Sequence, residues 1–319
     1  MRYEVRHVTE YRYDEPVRES VMELRMQPRH AAGQGLVSFE VEIAPHAQVL
    51  SYVDGWGNLV HHFDLPHAHD TLDIFVRSVV ETYSHPAPPA VEADAWAALA
   101  SETMRGEWWD FLTLHGFAAE TPALHDFIAA RSLNALKTLD PLSALKALNR
   151  ELYEAFDYEA GVTEPDSPID HALIEGRGVC QDFAHIMIAI CRLWGVPARY
   201  VSGYLYTDQD THDRSTPNAT HAWIEAFLPS LGWVGFDPTN DLITGERHLS
   251  VAIGRDYADV PPSHGVVKGE AESRLSVGVS VHRASEVGSE LPRMGAPALI
   301  ATRRRPGGPS LLAQHQQQQ

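Results

Sequence analysis

Over the N-terminal quarter of the chain, apolar and polar positions alternate as they do in β-strands. Tyr3 and Val5, then Thr9, Tyr11 and Tyr13, recur at two-residue spacing, and Val37, Phe39, Val41 and Ile43 share one face of a second run. Residues 47–53, 59–63 and 72–82 read as further strands, with Asp54-Gly-Trp-Gly-Asn58 as a turn between the first two of these. The pattern predicts an antiparallel β-sandwich over residues 1–86. The stiff segment Pro86-Ala-Pro-Pro-Ala90 marks its end.

From Trp96 to Phe156 the period becomes helical. Leu124, Phe127, Ile128 and Leu133 hold approximate three-to-four spacing, and Leu145, Leu148 and Leu152 share a face behind Pro141. After a polar, turn-rich stretch, apolar residues at 183, 186, 187, 190 and 194 form the stripe of a buried helix, stopped by Gly195 and Pro197. A second domain is therefore expected over residues 87–283. The remaining 284–319, which include Arg303–Arg305 and Gln316–Gln319, read as a disordered tail.

Composition narrows the functional classes. A chain of 319 residues with 44% hydrophobic content can bury a full core in two domains. Its net charge of −18 opposes binding to nucleic acid and to anionic lipid surfaces. No apolar run approaches the roughly 20 residues needed to cross a bilayer, and the start lacks a signal-like apolar segment, so a cytoplasmic protein is expected. The two cysteines, Cys180 and Cys191, fall on one predicted helix, about 16 Å apart at about 1.5 Å per residue, which excludes a disulfide between them. Two cysteines also cannot build a Cys-rich zinc cluster. His61-His62 and His67-x-His69 lack a third ligand at a sensible spacing, so neither metal nor cofactor is expected.

The chemistry concentrates at the start of the buried helix. Cys180 stands at its N-terminus behind Gly176 and Gly178, where free amide hydrogens and the positive end of the helix dipole stabilise a thiolate. Cys191, in mid-helix, reads as a small core residue. A nucleophilic sulfur needs an imidazole and a group to orient it. His185 lies five residues on, turned by about 140° onto another face, and is a poor partner. Downstream, His221-Ala-Trp-Ile-Glu-Ala-Phe227 and Trp233-Val-Gly-Phe-Asp237 read as two strands joined by a turn. Pairing Phe227 with Trp233, or a register tighter by two, brings His221 and Asp237 within cross-strand contact. The arrangement predicts that Asp237 accepts the Nδ1 proton of His221 and that Nε2 faces the Cys180 sulfur.

Gly-Val-Cys-Gln-Asp-Phe-Ala-His (178–185), His-Ala-Trp-Ile-Glu (221–225) and Gly-Trp-Val-Gly-Phe-Asp-Pro-Thr-Asn (232–240) resemble the three signature blocks of the transglutaminase-like superfamily. Residues 2–17 and 251–262 resemble its bacterial members that begin with a separate β-domain. The resemblance implies an α+β fold: an N-terminal antiparallel β-sandwich, then a papain-like core whose Cys-bearing helix packs on an antiparallel sheet carrying His and Asp. It implies Cys180 as nucleophile, His221 as base and Asp237 as orienting acid, the assignment that the spacing gives independently. Tyr158 is the candidate oxyanion donor beside the Cys180 backbone N–H. Asp182, in the first helical turn, reads as a partner of the helix dipole, and Trp223 and Trp233 as sheet packing.

The expected function is a cysteine enzyme that cleaves or transfers peptide or glutamine-type amides through a thioester. Its partner is a peptide or protein substrate. The polar loop 207–218, read as a flap, is a poor barrier to water and favours hydrolysis. The alternatives are a cross-linking protein-glutamine amine transferase and a non-catalytic peptide-binding module.

Overall fold

The computed structural model describes residues 1–84, 88–89, 91, 95–208 and 213–284, with the backbone of 298–301. The chain opens with strands β1 (Arg2–Val17), β2 (Glu19–Leu24), β3 (Gln34–Ala44), β4 (Leu50–Val53), β5 (Leu59–Leu65) and β6 (His69–Thr82). Short helices α1 (Ala95–Leu99), α2 (Glu102–Glu107) and α3 (Trp109–Leu112) follow, then α4 (Pro122–Ala130) and α5 (Pro141–Ala155). Thr121 and Asp140 cap the last two helices by accepting the N–H of Leu124 and Ser143, with proline in the first turn of each. Strand β7 (Asp157–Tyr158), helix α6 (Ile169–Glu175) and strand β8 (Arg177–Gly178) lead into α7 (Cys180–Leu193). Strands β9 (Ala198–Leu205), β10 (Thr220–Leu228), β11 (Gly232–Asp237), β12 (Leu242–Ile243) and β13 (His248–Gly254) complete the core. β14 (Ser263–Lys268), β15 (Ser273–Arg283) and β16 (Ala298–Ala301) come last.

Helix α7 is the axis of the core. From Cys180 to Arg192 every residue is buried, among α5, α6 and the face of the sheet ordered β12-β11-β10-β9-β13. Ile186, Met187, Ile188 and Ile190 are each fully enclosed, worth about 1.5–3 kcal/mol apiece against an exposed side chain. The helix ends where the sequence says it must: Gly195 takes a left-handed φ of 79°, and Gly195 and Val196 donate to the carbonyls of Arg192 and Cys191. Arg192 is buried because its guanidinium serves the carbonyls of Phe111, Thr113, Ala198 and Arg255.

The N-terminal strands form antiparallel sheets, as expected, but the C-terminal strands join them. β15 pairs with β1 and β14 with β2, giving the orders β16-β15-β1-β6-β3 and β14-β2-β5-β4. Residues 263–283, expected within the second domain, thus lie on the first. Ala298–Ala301, within the expected disordered tail, pairs with β15. Apart from Ala284, the rest of that tail lies outside the described residues, as does the expected linker apart from Pro88 and Pro89. The expected inward face of β3 also changes. A bulge between Leu36 and Ser38 turns Val37 outward to 46% exposure.

β1 ties the two halves together. Its inward face runs unbroken through His7, so that Tyr11 and Tyr13 fill the space between the N-terminal sheets while Tyr3 and Val5 pack on the core. Between them, His7 Nδ1 meets the Tyr204 hydroxyl of β9 at 2.9 Å. Asn58 exchanges hydrogen bonds with the Ile253 backbone, and Gln34 with that of Ser250, which seat the β-sheets against β13.

Candidate active site

Cys180 is the first residue of α7 and has no accessible surface. The turn before it is built from two glycines with different tasks. Gly176, at φ 69°, ends α6 in the left-handed conformation, whereas Gly178 lies so near Asp182 that a Cβ would fall 2.6 Å from Oδ2. Asp182 Oδ2 accepts the Val179 N–H at 2.9 Å and the Thr163 hydroxyl at 2.7 Å. This carboxylate closes the helix start in the manner of a capping box, consistent with a helix-dipole role. Burial pushes its pKa up, and those hydrogen bonds act against the shift.

β10 and β11 pair in the wider of the two expected registers, with Phe227 opposite Trp233 and Ile224 opposite Phe236. Asp237 therefore sits diagonally from His221, and the imidazole reaches it with its far nitrogen: His221 Nε2 donates to Asp237 Oδ2 at 2.8 Å. The expected roles of the ring nitrogens are thus reversed. Nδ1 is buried and has no hydrogen-bond partner among the described groups, which leaves it available to the thiol. Burial opposes charging of His221, but the Asp237 carboxylate and then Cys180 outweigh it and carry the imidazole up to about 10. Asp237 is fully buried. Burial alone would raise its pKa, yet His221 and His248 hold it well below the usual carboxylate range.

Two residues without an expected role complete the carboxylate's shell. His248, the first residue of β13, meets Asp237 Oδ2 at 3.2 Å through Nε2. Asn240 donates its side-chain amide to the same oxygen at 2.8 Å, while the backbone N–H groups of Thr239 and Asn240 donate to Oδ1 at 3.0 and 3.3 Å. Asn240 also accepts the N–H of Arg214 and of Ser215, which moors the loop before β10 to the site. Asn240 was visible in the third sequence block without any sign of its task. His248 had no local signal, because it reaches Asp237 only through the pairing of β13 with β9.

Tyr158 on β7 pairs in parallel with Gly178, two residues before the thiol. Its hydroxyl lies 3.2 Å from Thr216 Oγ1 and accepts the Thr216 N–H at 3.4 Å. Burial first, then the charge at Cys180, push the phenol above its ordinary value, so its proton stays available for donation. His185 is apart from this group. Its Nε2 accepts the Tyr257 N–H at 3.1 Å, and burial followed by Arg192 takes it down to about 3, a neutral core residue. Trp223 packs with Val201, Ile253 and Trp56, and Trp233 with Trp108, Phe111 and Phe227, as sheet-face residues. His69 is held by Ser20 and the His67 carbonyl, and His61 stacks on Phe39. Among the described residues the one group of metal-ligating type is His221, Asp237 and His248. Within it the two imidazole Nε2 atoms lie 2.8 and 3.2 Å from one oxygen of Asp237, the distances of hydrogen bonds that the imidazoles donate and the carboxylate accepts.

The two thiols differ in surroundings. Burial pushes Cys191 up to about 12, whereas Cys180 adjoins the imidazolium-favouring His221 at a helix start. Iodoacetamide is expected to label Cys180 at least about tenfold faster than Cys191 in the folded protein. Peptide mapping of a labelling time course measures this, and equal rates would contradict it.

A β-domain joined to a helix-and-sheet core, with a cysteine at the helix start and a His–Asp pair on the sheet, defines a mixed α/β architecture of the papain-like cysteine-protease type. Residues 130–238 match the model of the transglutaminase-like superfamily, and residues 3–81 that of the bacterial transglutaminase-like N-terminal region. The chain belongs to the transglutaminase-like superfamily. An uncharacterized protein of Mycobacterium leprae is 36% identical over 283 residues, spanning 88% of this chain and 99% of the relative. A protein-glutamine gamma-glutamyltransferase of Pseudomonas aeruginosa is 29% identical over 127 residues, 37% of this chain and 19% of that one. The crystal structure of a candidate cysteine protease from Cytophaga hutchinsonii shares the fold, with TM-score 0.67 at 18% identity over 94% of this chain and 98% of that one.

Proposed function

We propose that the protein is a cysteine enzyme that forms a thioester at Cys180 from a peptide or glutamine-type amide and gives the acyl group to water. The observation that carries the reading is the buried 2.8 Å hydrogen bond between His221 and Asp237, with the other ring nitrogen left to the thiol at the start of α7. In the first half, Cys180 Sγ attacks the carbonyl carbon, and the developing oxyanion takes hydrogen bonds from the Cys180 N–H and the Tyr158 hydroxyl. His221 passes its Nδ1 proton to the leaving amine or ammonia, and the C–N bond breaks. In the second half, water attacks the thioester, His221 takes its proton, and the carboxylic acid leaves as the thiol is restored.

Water is favoured over amine because of the loop before β10. Transfer to a scarce amine in the presence of about 55 M water requires a water-excluding acceptor site. Residues 213–218 are polar and held by polar contacts: Arg214 donates to the Tyr153 and Phe156 carbonyls, and Ser215 and Thr216 bond Asn240 and Tyr158. The test supplies a blocked glutaminyl peptide with a millimolar labelled primary amine and separates acid from conjugate by mass spectrometry. Acid is the expected main product. Dominant conjugate would establish amine transfer, and no trappable thioester on Cys180 would leave a peptide-binding module.

A further inference from the structure

The triad reading leaves a second buried imidazole unused. His248 is 7% exposed, its ring centre 6.2 Å from that of His221, and its edge packs on Trp223 at 5.3 Å. Its two nitrogens have definite and opposite tasks. The Gly245 N–H points at Nδ1 at 3.3 Å, which makes Nδ1 an acceptor and leaves the proton on Nε2. That Nε2–H is 3.2 Å from Asp237 Oδ2, the oxygen that His221 also uses.

We infer that His248 is a positioning residue: a neutral imidazole that holds Asp237 in the orientation from which it orients His221. The inference rests on the Cys180–His221–Asp237 reading and deepens it. The backbone of Asp237 pairs with Leu242 of β12, but backbone pairing does not by itself fix its χ angles. A rotation would release Nε2 of His221, and the ring could then turn Nδ1 away from the thiol. Two side-chain donors converge on Oδ2 beside His221, one from each direction: Asn240, from the turn after Asp237, and His248, from β13. β13 reaches the site by pairing with β9, the strand that also carries β10. The strand that seats the N-terminal sheets through Ser250 and Ile253 therefore also holds the carboxylate.

Two variants and one spectrum test this. In His248→Leu the ring volume is largely kept while the donor is lost; kcat for ammonia release from a blocked glutaminyl peptide should fall about 10- to 100-fold with KM within about twofold. His248→Gln, whose amide nitrogen can occupy the Nε2 position, should recover most of that loss. Nitrogen NMR of the histidine-labelled wild-type protein should show His248 as the neutral Nε2–H tautomer, a readout that needs neither turnover nor a variant. Native kcat in His248→Leu, equal losses in the Leu and Gln variants, or an Nδ1–H tautomer would each overturn the inference. Cys180→Ala is assayed in parallel. Activity in that variant overturns the thioester reading itself, whereas its inactivity beside a native His248→Leu overturns only the positioning role.

Discussion

Cys180→Ala is expected to abolish acyl transfer, by at least about 10⁴-fold, while leaving a cooperatively folded protein. In the proposed mechanism the sulfur forms the bond to the substrate carbonyl, and neither His221 nor Asp237 can replace it. Its structural share is small. The helix start is held by the Asp182 carboxylate on the Val179 N–H and by the glycine turn, none of which involves the thiol. Loss of one sulfur atom from a buried site should cost about 1–2 kcal/mol, inside the roughly 5–15 kcal/mol that holds a typical fold. Intact-mass trapping of the acyl-enzyme, turnover of a blocked glutaminyl peptide and a thermal unfolding curve measure the three consequences together. Unfolding without cooperativity would make Cys180 structural, and retained turnover would move the nucleophile elsewhere.

What the sequence makes legible is local. The stripe of α7, its Gly195-Val-Pro197 stop, and the pairing of Phe227 with Trp233 all follow from spacing within one element or across one short turn. What it hides is long-range. β14 and β15 pair with β2 and β1 across most of the chain, Ser263 with Leu24 and Val281 with Val5, and nothing in their alternation says which sheet they join. His248 is hidden for the same reason, since its place beside Asp237 depends on β13 pairing with β9. The reversal of the His221 nitrogens is a subtler case. Spacing placed the imidazole and carboxylate in contact, but which nitrogen made it depended on the diagonal offset, and two registers were open. The Val37 bulge is invisible to a two-residue period because it breaks that period at one residue.

Asp237→Asn should reduce turnover by about two to four orders of magnitude with the thiol still present. The amide keeps the shape but removes the charge, and it can offer its NH₂ to His221, selecting the tautomer in which Nε2 is the acceptor. Burial then prevails over the lost carboxylate, and the imidazole falls from its raised value near 10 toward the neutral state. The pH dependence gives the sign. In the wild type, the raised His221 contributes stability that is complete below its ordinary 6.5 and is lost as pH rises through about 10. The depressed Asp237 contributes stability that is present above its ordinary 3.8 and is lost as pH falls below it. Both dependences should flatten in the variant, because the pair that creates them is gone. Turnover and urea unfolding of both proteins across pH 3–11 provide the check. A variant with near-native turnover and unchanged pH profiles would transfer the orienting role from Asp237 to another group.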